Sequence, residues 1–347
     1  MDQVRFSLMT SRQPGAVAIV QVWGDQSPTV IRRVIDDAGF DLPVGRLRLV
    51  NFGPIDEGLV SRLDRTTWQL MPHGGLRVVE KLADRLAACG ARSWEATTDD
   101  ARALFPEADS DFEADLMAVL ARSKSPTAID VLSRQQRAWA AVTDDHRFEI
   151  AVRSAAMDRL ITPAKVVVAG RPNVGKSTLF NALSGRSSAI VADLPGTTRD
   201  WVGALVELSG KVAVQWLDTP GIRDSDDVVE QRAIELSRSV IASADVLVLM
   251  RDDQSDWPTI ERRAGDATVD VVNKCDRLAA DAEVGEAVAI SAATGQGLEQ
   301  LQQRIIALLG LGDLDQALPW AFSPTLKRWC EGQDVDLVGY GVGAVAS

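Results

Sequence analysis

Gly170-Arg-Pro-Asn-Val-Gly-Lys-Ser177 is the stretch of the chain that decides the fold. It carries the required residue at each fixed position of the phosphate-binding loop G-x-x-x-x-G-K-[ST]. The apolar run Lys165-Val-Val-Val-Ala169 leads directly into this loop, and a helical stretch from Thr178 to Ser184 leaves it. A strand, a glycine-rich turn and a helix in this order place backbone N–H groups and a helix N-terminus around a phosphate. The sequence therefore predicts a phosphate site on an α/β fold.

The side chains of this loop have distinct expected roles. We expect the Lys176 ammonium to reach the β- and γ-phosphates of a nucleotide, and the Ser177 hydroxyl to coordinate Mg²⁺. The nucleotide-binding residues predicted in this part of the chain are Asn173, Val174, Gly175, Lys176, Ser177 and Thr178.

Two short motifs after the loop predict the remaining phosphate and metal contacts. Gly196-Thr-Thr-Arg-Asp200 offers Thr198 as a Mg²⁺ ligand when the γ-phosphate is present. In Asp218-Thr-Pro-Gly221, Asp218 is expected to hold Mg²⁺ through water, and the Gly221 N–H is expected to contact the γ-phosphate.

Two further motifs predict which base is bound. In Asn273-Lys-Cys-Asp276 the terminal carboxylate can accept hydrogen bonds from guanine N1–H and the exocyclic amine, two donors that adenine does not present together. Ser291-Ala-Ala293 follows a short apolar run and suits a backbone contact to guanine O6. The chain is therefore expected to bind GTP and GDP with Mg²⁺. The base-side residues predicted to bind are Asn273, Lys274, Asp276, Ser291 and Ala292.

The residue that orients the attacking water in Ras-like enzymes is absent from its usual place. Those enzymes use a glutamine directly after Asp-x-x-Gly. Here that position is Ile222, which cannot hydrogen-bond to water. Another residue must position the water, or hydrolysis is very slow.

Patterning divides the 347 residues into four predicted segments: a small α+β domain over 1–96, helical sequence over 97–162, a P-loop GTPase domain over 163–310, and a short returning helical segment with a tail over 311–347. Alternating strands and helices in the third segment predict a mainly parallel sheet. Predicted strands lie at 16–22, 47–52, 67–71, 165–169, 212–217, 246–250 and 269–272. Predicted helices lie at 75–88, 228–241, 298–309 and 323–330, another opens at Pro126, and the glycine-rich stretch 339–343 is interpreted as a loose tail.

Charge and cysteine content restrict the partners and the compartment. The net charge of −12 argues against nonspecific nucleic-acid binding, which requires a basic surface. Three widely separated cysteines indicate a reducing compartment, and neither a membrane-spanning window nor a secretory signal is visible. We therefore expect a cytoplasmic protein that binds neither membrane nor DNA.

The motifs together resemble one known family. Gly170–Ser177, Ala189–Asp200 and Asp218–Arg223 closely resemble the tRNA-modification GTPase family MnmE, also called TrmE. Weaker resemblances precede the loop, at Gln13–Val20, Ile55–Gly58, His73–Gly75 and Ala87–Ala91.

The resemblance implies an architecture and a catalytic device. It implies a GTPase domain inserted in a helical domain and an N-terminal domain that forms a homodimer. It also implies paired GTPase domains in which K⁺ replaces an arginine finger, with Asn173 as K⁺ ligand beneath the loop Ala189–Gly196. Glu230 matches the family's water-positioning glutamate, which acts through a bridging water and accounts for Ile222. The catalytic residues expected on this basis are Glu230, Lys176, Thr198 and Gly221.

The same resemblance implies a biological role. It is GTP hydrolysis to GDP and phosphate in wobble-uridine modification of tRNA, with the flavoprotein MnmG as partner and indirect contact with tRNA. The family also binds a folate one-carbon donor, for which His73 is either a pocket residue or a structural turn residue. The family's terminal Cys-x-Gly-Lys box is matched only faintly, by Cys330-Glu-Gly-Gln333. Two alternatives remain: a ribosome-associated or regulatory GTPase of the Era/Der kind, and a GTP-binding scaffold without tRNA-modifying chemistry.

Overall fold

The computed structural model describes residues 3–10, 14–94, 101–185, 202–218, 239–260, 267–278, 284–312 and 314–342. The chain divides into two compact units. The first unit comprises Met1–Val119 and Asp336–Val345, and the second unit comprises Leu120–Val335 and the last two residues. The finer division into four segments stays a prediction. Within the described residues, no helix has the length and apolar character needed to cross a membrane.

The first unit is built on a six-stranded sheet in the order β3-β4-β5-β2-β1-β6. Its strands are antiparallel, except that β6 lies parallel to β1. The strands are β1 (Arg5–Leu8), β2 (Val20–Trp23), β3 (Leu47–Asn51), β4 (Glu57–Arg62), β5 (Thr67–Met71) and β6 (Arg92–Ser93). The strands predicted at 47–52 and 67–71 are confirmed, whereas the first predicted strand begins only at Val20.

Two helices, α1 (Ser27–Ile35) and α2 (Leu76–Ala88), belong to the core of this sheet. The three- and four-residue spacing of apolar residues predicted α2, and Leu82 and Leu86 are fully buried on that face. Helix α1 has a proline in its first turn and ends at Asp36, whose φ of 62° is left-handed. No helix was predicted over Ser27–Ile35.

Three short helices complete the first unit: α3 (Ala101–Leu104), α4 (Asp111–Leu120) and α11 (Leu337–Tyr340). The prediction of a loose tail at 339–343 is wrong for its described part. Tyr340 is buried, its hydroxyl donates a hydrogen bond of 2.5 Å to Asp115, and its ring packs edge-on against Phe112. Gly341 then ends α11 with a φ of 106°, which glycine adopts readily. Burial of the Tyr340 side chain therefore orders this segment despite its many glycines.

The second unit contains another six-stranded sheet, in the order β12-β11-β10-β7-β9-β8. All neighbouring strands are parallel except β8 and β9, so the predicted mainly parallel sheet is confirmed. The strands are β7 (Ala164–Gly170), β8 (Val202–Leu208), β9 (Val212–Asp218), β10 (Val246–Arg251), β11 (Thr268–Val272) and β12 (Val288–Ala289). Helices α8 (Lys176–Ser184) and α9 (Leu298–Leu308) belong to the same domain. Single 3-10 turns lie at Ser209–Lys211 and Cys275–Arg277, while the predicted helix 228–241 lies outside the described residues except for its last three.

Helices that precede this sheet domain in the chain pack against a helix that follows it. They are α5 (Pro126–Leu132), α6 (Gln135–Trp139), the 3-10 turn Asp144–His146, α7 (Arg147–Ile161) and α10 (Pro324–Cys330). Trp139 meets Trp329 edge-on with ring centroids 5.6 Å apart, and its indole N–H donates to the Trp320 carbonyl at 3.0 Å. The second sheet and its helices are therefore inserted between two helical stretches of the chain that pack against each other.

Candidate nucleotide site

The phosphate loop lies where β7 ends and α8 begins. Two of its glycines are required by close contacts. A Cβ on Gly170 would lie 2.4 Å from the Met250 carbonyl oxygen, and one on Gly175 would lie 2.2 Å from the Asn273 amide nitrogen. Gly175 also has a φ of 103°, which side chains rarely adopt. The backbone is therefore fixed in the tight turn that a phosphate cradle requires.

Lys176 is buried within this loop. Its ammonium donates hydrogen bonds to the carbonyl oxygens of Gly170 at 3.0 Å and Arg171 at 3.1 Å. Burial lowers the pKa of Lys176, and the nearby Asp218 charge opposes that effect. The loop thus holds the Lys176 ammonium at the start of α8. Both this positive charge and the helix N-terminus favour an anion there.

Ser177 and Asp218 bring two oxygen groups together from different elements. The Ser177 hydroxyl, in the first turn of α8, lies 3.1 Å from Asp218 Oδ2 at the end of β9. The other carboxylate oxygen, Oδ1, is buried and has no hydrogen-bond partner among the described residues. Burial raises the pKa of Asp218, while the Ser177 hydrogen bond and the Lys176 charge oppose the rise.

Asn273 connects three loops of the site. It is 2% exposed, its amide N–H donates to the Val174 carbonyl at 2.8 Å, and its carbonyl oxygen accepts from the Ala292 N–H at 2.9 Å. The phosphate loop and the two base-side motifs are therefore joined through a single buried amide.

Lys274 makes a second connection. Its ammonium donates to the Asn173 carbonyl at 3.2 Å and to Asp252 Oδ2 at 2.6 Å. Asp252 is buried at the end of β10, and sequence reasoning missed it. An acidic residue directly after a buried strand that ends beside the phosphate loop is the signal that could have found it. Burial would raise the pKa of Asp252, but hydrogen bonds from Lys274, Ser255 and the Gln254 N–H, with the Lys274 charge, lower it.

Asp276 lies at the open side of the site. The hydrogen bond with Ser291 is the main cause that lowers the pKa of this exposed carboxyl, and desolvation opposes it. Ser291 itself is fully buried and accepts from the Thr294 N–H at 3.3 Å. An ionised acceptor is thus placed beside the Ser291–Ala293 loop, where both guanine donors could reach it.

Comparison with known proteins identifies the family. A family model described as "50S ribosome-binding GTPase" matches residues 165–276. The tRNA modification GTPase MnmE of Synechococcus sp. (strain RCC307) is 32% identical over 377 aligned positions, which cover 91% of this chain and 82% of that relative. This chain belongs to the MnmE family.

Other MnmE proteins match over less of their length. MnmE of Synechococcus elongatus (strain ATCC 33912 / PCC 7942 / FACHB-805) is 41% identical over 179 residues, 47% of this chain and 38% of the relative. MnmE of Nitratidesulfovibrio vulgaris (strain DP4) is 42% identical over 164 residues, 43% of this chain and 36% of the relative. Among solved structures, Era in complex with MgGDPNP and a 16S ribosomal RNA segment aligns with a TM-score of 0.34 and 28% identity, covering 43% of this chain and 56% of Era.

As a member of the MnmE family, the chain is a GTPase that binds guanine nucleotide with Mg²⁺, and its residues fit that metal. Mg²⁺ prefers oxygen ligands and keeps several waters. The Ser177 hydroxyl and the Asp218 carboxylate meet that preference. Asp218 Oδ1, which is buried and finds no partner in the described part of the chain, is the kind of atom that a bound ion or its water would satisfy. Guanine nucleotide brings the phosphates that complete the coordination.

Several predicted MnmE site residues lie outside the described residues. They are Thr198, Gly221, Glu230 and the loop Ala189–Gly196. Ile222, which stands in place of the usual water-positioning glutamine, also lies outside them. Among the others, Asn173 and Thr178 are exposed at the loop and on the first turn of α8, and Asn173 has a left-handed φ of 66°. His73 lies in the first unit, where its Nδ1 is 2.9 Å from Asp56 Oδ1.

Proposed function

We propose that this chain hydrolyses GTP by a K⁺-dependent mechanism within wobble-uridine modification of tRNA. The observation that carries the proposal is that Lys176, Ser177, Asp218 and Lys274 all make their hydrogen bonds at the phosphate loop or the start of α8, in a chain that matches 82% of an MnmE relative. Two copies of the chain would pair through their GTPase domains during hydrolysis, and the N-terminal domains would hold the dimer together.

Each residue has a separate task in this proposal. Lys176 orients the β- and γ-phosphates, and Asp276 selects guanine. Thr198 and Gly221 hold the γ-phosphate side, and Glu230 positions the attacking water through a second water. Mg²⁺ and K⁺, when bound, neutralise negative charge that develops on the transferred phosphoryl group.

Asn173 is the proposed K⁺ ligand. Its side chain is exposed, its backbone has a left-handed φ, and its carbonyl accepts a hydrogen bond from Lys274. This arrangement supports a role at the surface of the phosphate loop, where a second cation would meet the nucleotide.

Steady-state GTP hydrolysis in KCl against matched NaCl tests this mechanism. We expect K⁺ to stimulate the rate, and Glu230→Ala to abolish the stimulation while GTP still binds. Asp227→Ala, in the same acidic run, is the matched control and should keep the K⁺ response. Equal slow rates in both salts with tight GTP binding would support a GTP-binding scaffold instead.

The tRNA step requires its own test. The family relation supports tRNA modification with the flavoprotein MnmG as partner, and the net charge of −12 supports indirect contact with tRNA. We expect the chain to restore modified wobble uridine in a strain that lacks the family enzyme, and to capture the flavoprotein in a pull-down. If both experiments fail, the tRNA role is ruled out and GTP hydrolysis alone remains.

Ribosome association is the second candidate function. The description of the matched family model over residues 165–276 favours it, and the acidic charge opposes it. Co-sedimentation with ribosomal subunits, dependent on GTP, would favour this candidate over the tRNA role.

The family resemblance also suggests that the first unit binds a folate. The Asp56 carboxylate accepts from the His73 backbone N–H at 2.8 Å and also lies within hydrogen-bond distance of the imidazole ring. The His73 side chain is 73% exposed. Calorimetric titration with a tetrahydrofolate distinguishes two roles for His73. Binding lost in His73→Ala supports a pocket residue, whereas unaltered binding makes it a turn residue.

A further inference from the structure

Asp252 occupies a fixed position directly after β10. The residue is 7% exposed. Its backbone N–H donates to Ser255 Oγ at 3.1 Å, and its Oδ1 accepts from the Gln254 N–H at 3.3 Å. The carboxylate is therefore held by its own turn, independently of any contact with the rest of the site.

The second carboxylate oxygen, Oδ2, receives the Lys274 ammonium at 2.6 Å. The exposed fractions are 10% for the Asp252 side chain and 29% for the Lys274 side chain. A charge-assisted hydrogen bond in such a partly buried place is stronger than a neutral one and is screened little by salt. Asp252 thus determines the direction in which the Lys274 amine points.

The same amine donates to the Asn173 carbonyl, which belongs to the phosphate loop. Asn173 has a φ of 66° and Lys274 has a φ of 63°. Non-glycine residues hold this conformation only where their surroundings fix it. The Lys274 ammonium therefore links two residues in strained conformations, Lys274 itself and Asn173, and the same ammonium is held by Asp252.

We propose that Asp252 is a positioning residue of the nucleotide site. It holds Lys274 against the Asn173 carbonyl and thereby fixes the phosphate loop in its binding conformation. Without the carboxylate, the Lys274 amine turns to solvent and the Asn173 carbonyl loses its donor. The inference deepens the proposed function, because it concerns the same nucleotide site.

Affinity for a fluorescent GDP analogue tests this role. Asp252→Asn keeps the size of the side chain and an acceptor for the Gln254 N–H, but removes the charge that faces Lys274. We expect it to weaken GDP binding by about ten- to hundredfold, the size of one charge-assisted hydrogen bond. Asp253→Asn, the same loss of charge at the exposed next residue, is the matched control and should stay within about twofold of the wild type.

A double-mutant cycle separates positioning from general stability. If Asp252 acts through Lys274, the double variant Asp252→Asn/Lys274→Met binds GDP no more weakly than Lys274→Met alone. Unchanged affinity in Asp252→Asn, or losses that simply add in the double variant, would overturn the inference. Thermal unfolding without nucleotide shows whether each variant is folded. If Asp252→Asn does not fold, Asp252→Ser enters the same cycle.

The outcome is separable from that of the proposed function. If the wild type shows no K⁺-dependent hydrolysis but binds GDP tightly, the proposed mechanism fails and the cycle still decides the role of Asp252. If the wild type hydrolyses GTP as proposed and the cycle shows no coupling, only the inference fails.

Discussion

Asp276 is a residue whose chemistry can be tested by a single atom exchange. Its carboxylate is an acceptor at both oxygens, and its lowered pKa keeps it ionised at neutral pH. An asparagine at this position presents one donor and one acceptor, which matches the N1–H and C2 carbonyl of xanthine rather than guanine. We expect Asp276→Asn to weaken GDP binding by about a hundredfold and to strengthen binding of xanthosine diphosphate (XDP).

Competition between GDP and XDP for a fluorescent analogue measures this change in specificity. Arg277→Ala is the control, since its exposed ion pair with Asp276 at 3.9 Å contributes little. If the variant loses both nucleotides equally, Asp276 supports the fold of the loop and does not read the base.

The substitution Gly175→Ala tests whether the phosphate loop requires a residue without a side chain at this position. The Cβ of Gly175→Ala would overlap the Asn273 amide, which joins Val174 to Ala292. We expect the variant to lose nucleotide binding and to unfold at lower temperature, because both the overlap and the positive φ are unfavourable. Calorimetry with and without Mg²⁺·GDP measures both effects.

Gly285→Ala is the matched control for that substitution. Gly285 also has a positive φ, of 61°, but no atom of the described residues lies within 4 Å of the point that a Cβ would occupy there. It should lose about 1 kcal/mol of stability and keep nucleotide affinity. Equal nucleotide affinity in the two variants would show that the contact with Asn273 is not required.

At the scale of elements, the start of α5 holds the turn between β8 and β9. Ser125 Oγ donates to the Lys211 carbonyl at 2.8 Å, and Thr127 Oγ1 donates to the Gly210 carbonyl at 2.6 Å. Both side chains are buried. The turn they hold contains two residues with positive φ, so it needs these external donors.

Thr127→Val keeps the shape of the side chain and removes its donor. We expect it to lower the free energy of unfolding by about 0.5–1.5 kcal/mol, because the partly buried hydrogen bond to the Gly210 carbonyl is lost. Urea unfolding followed by tryptophan fluorescence measures the loss. Ser133→Ala, which removes an exposed hydroxyl bond to Asp130, should change stability by less than about 0.5 kcal/mol. Equal effects in the two variants would contradict a specific role for the α5 contact.

The elements differ in how far the sequence predicted them, for physical reasons. The phosphate loop and β7 were predictable because their required glycines and continuous apolar run are local signals. Helix α11 was not, because burial of Tyr340 against Asp115 and Phe112 joins residues more than two hundred positions apart. Asp252 was missed because the strand end that precedes it does not show its partner. Its meaning depends on Lys274, which the parallel sheet brings beside it.

At the scale of the whole molecule, the chain has two units with separate cores. The core of the first unit gathers Trp68, Phe52 and the apolar faces of α1 and α2, whereas the predicted nucleotide contacts all belong to the second unit. A ligand stabilises only the structure that it binds. GDP with Mg²⁺ should therefore act on one unit alone.

Native-state hydrogen exchange tests this expectation residue by residue. With Mg²⁺·GDP at a hundredfold its Kd, we expect amides of β7, α8 and β11 to gain up to about 2.7 kcal/mol of protection. Amides of β2 and β5 in the first unit should keep their exchange rates. Asp276→Asn, which loses GDP affinity, is the control and should show no gain in either unit. An equal gain in both sheets would mean that the two units unfold together, and the nucleotide would then stabilise the entire chain.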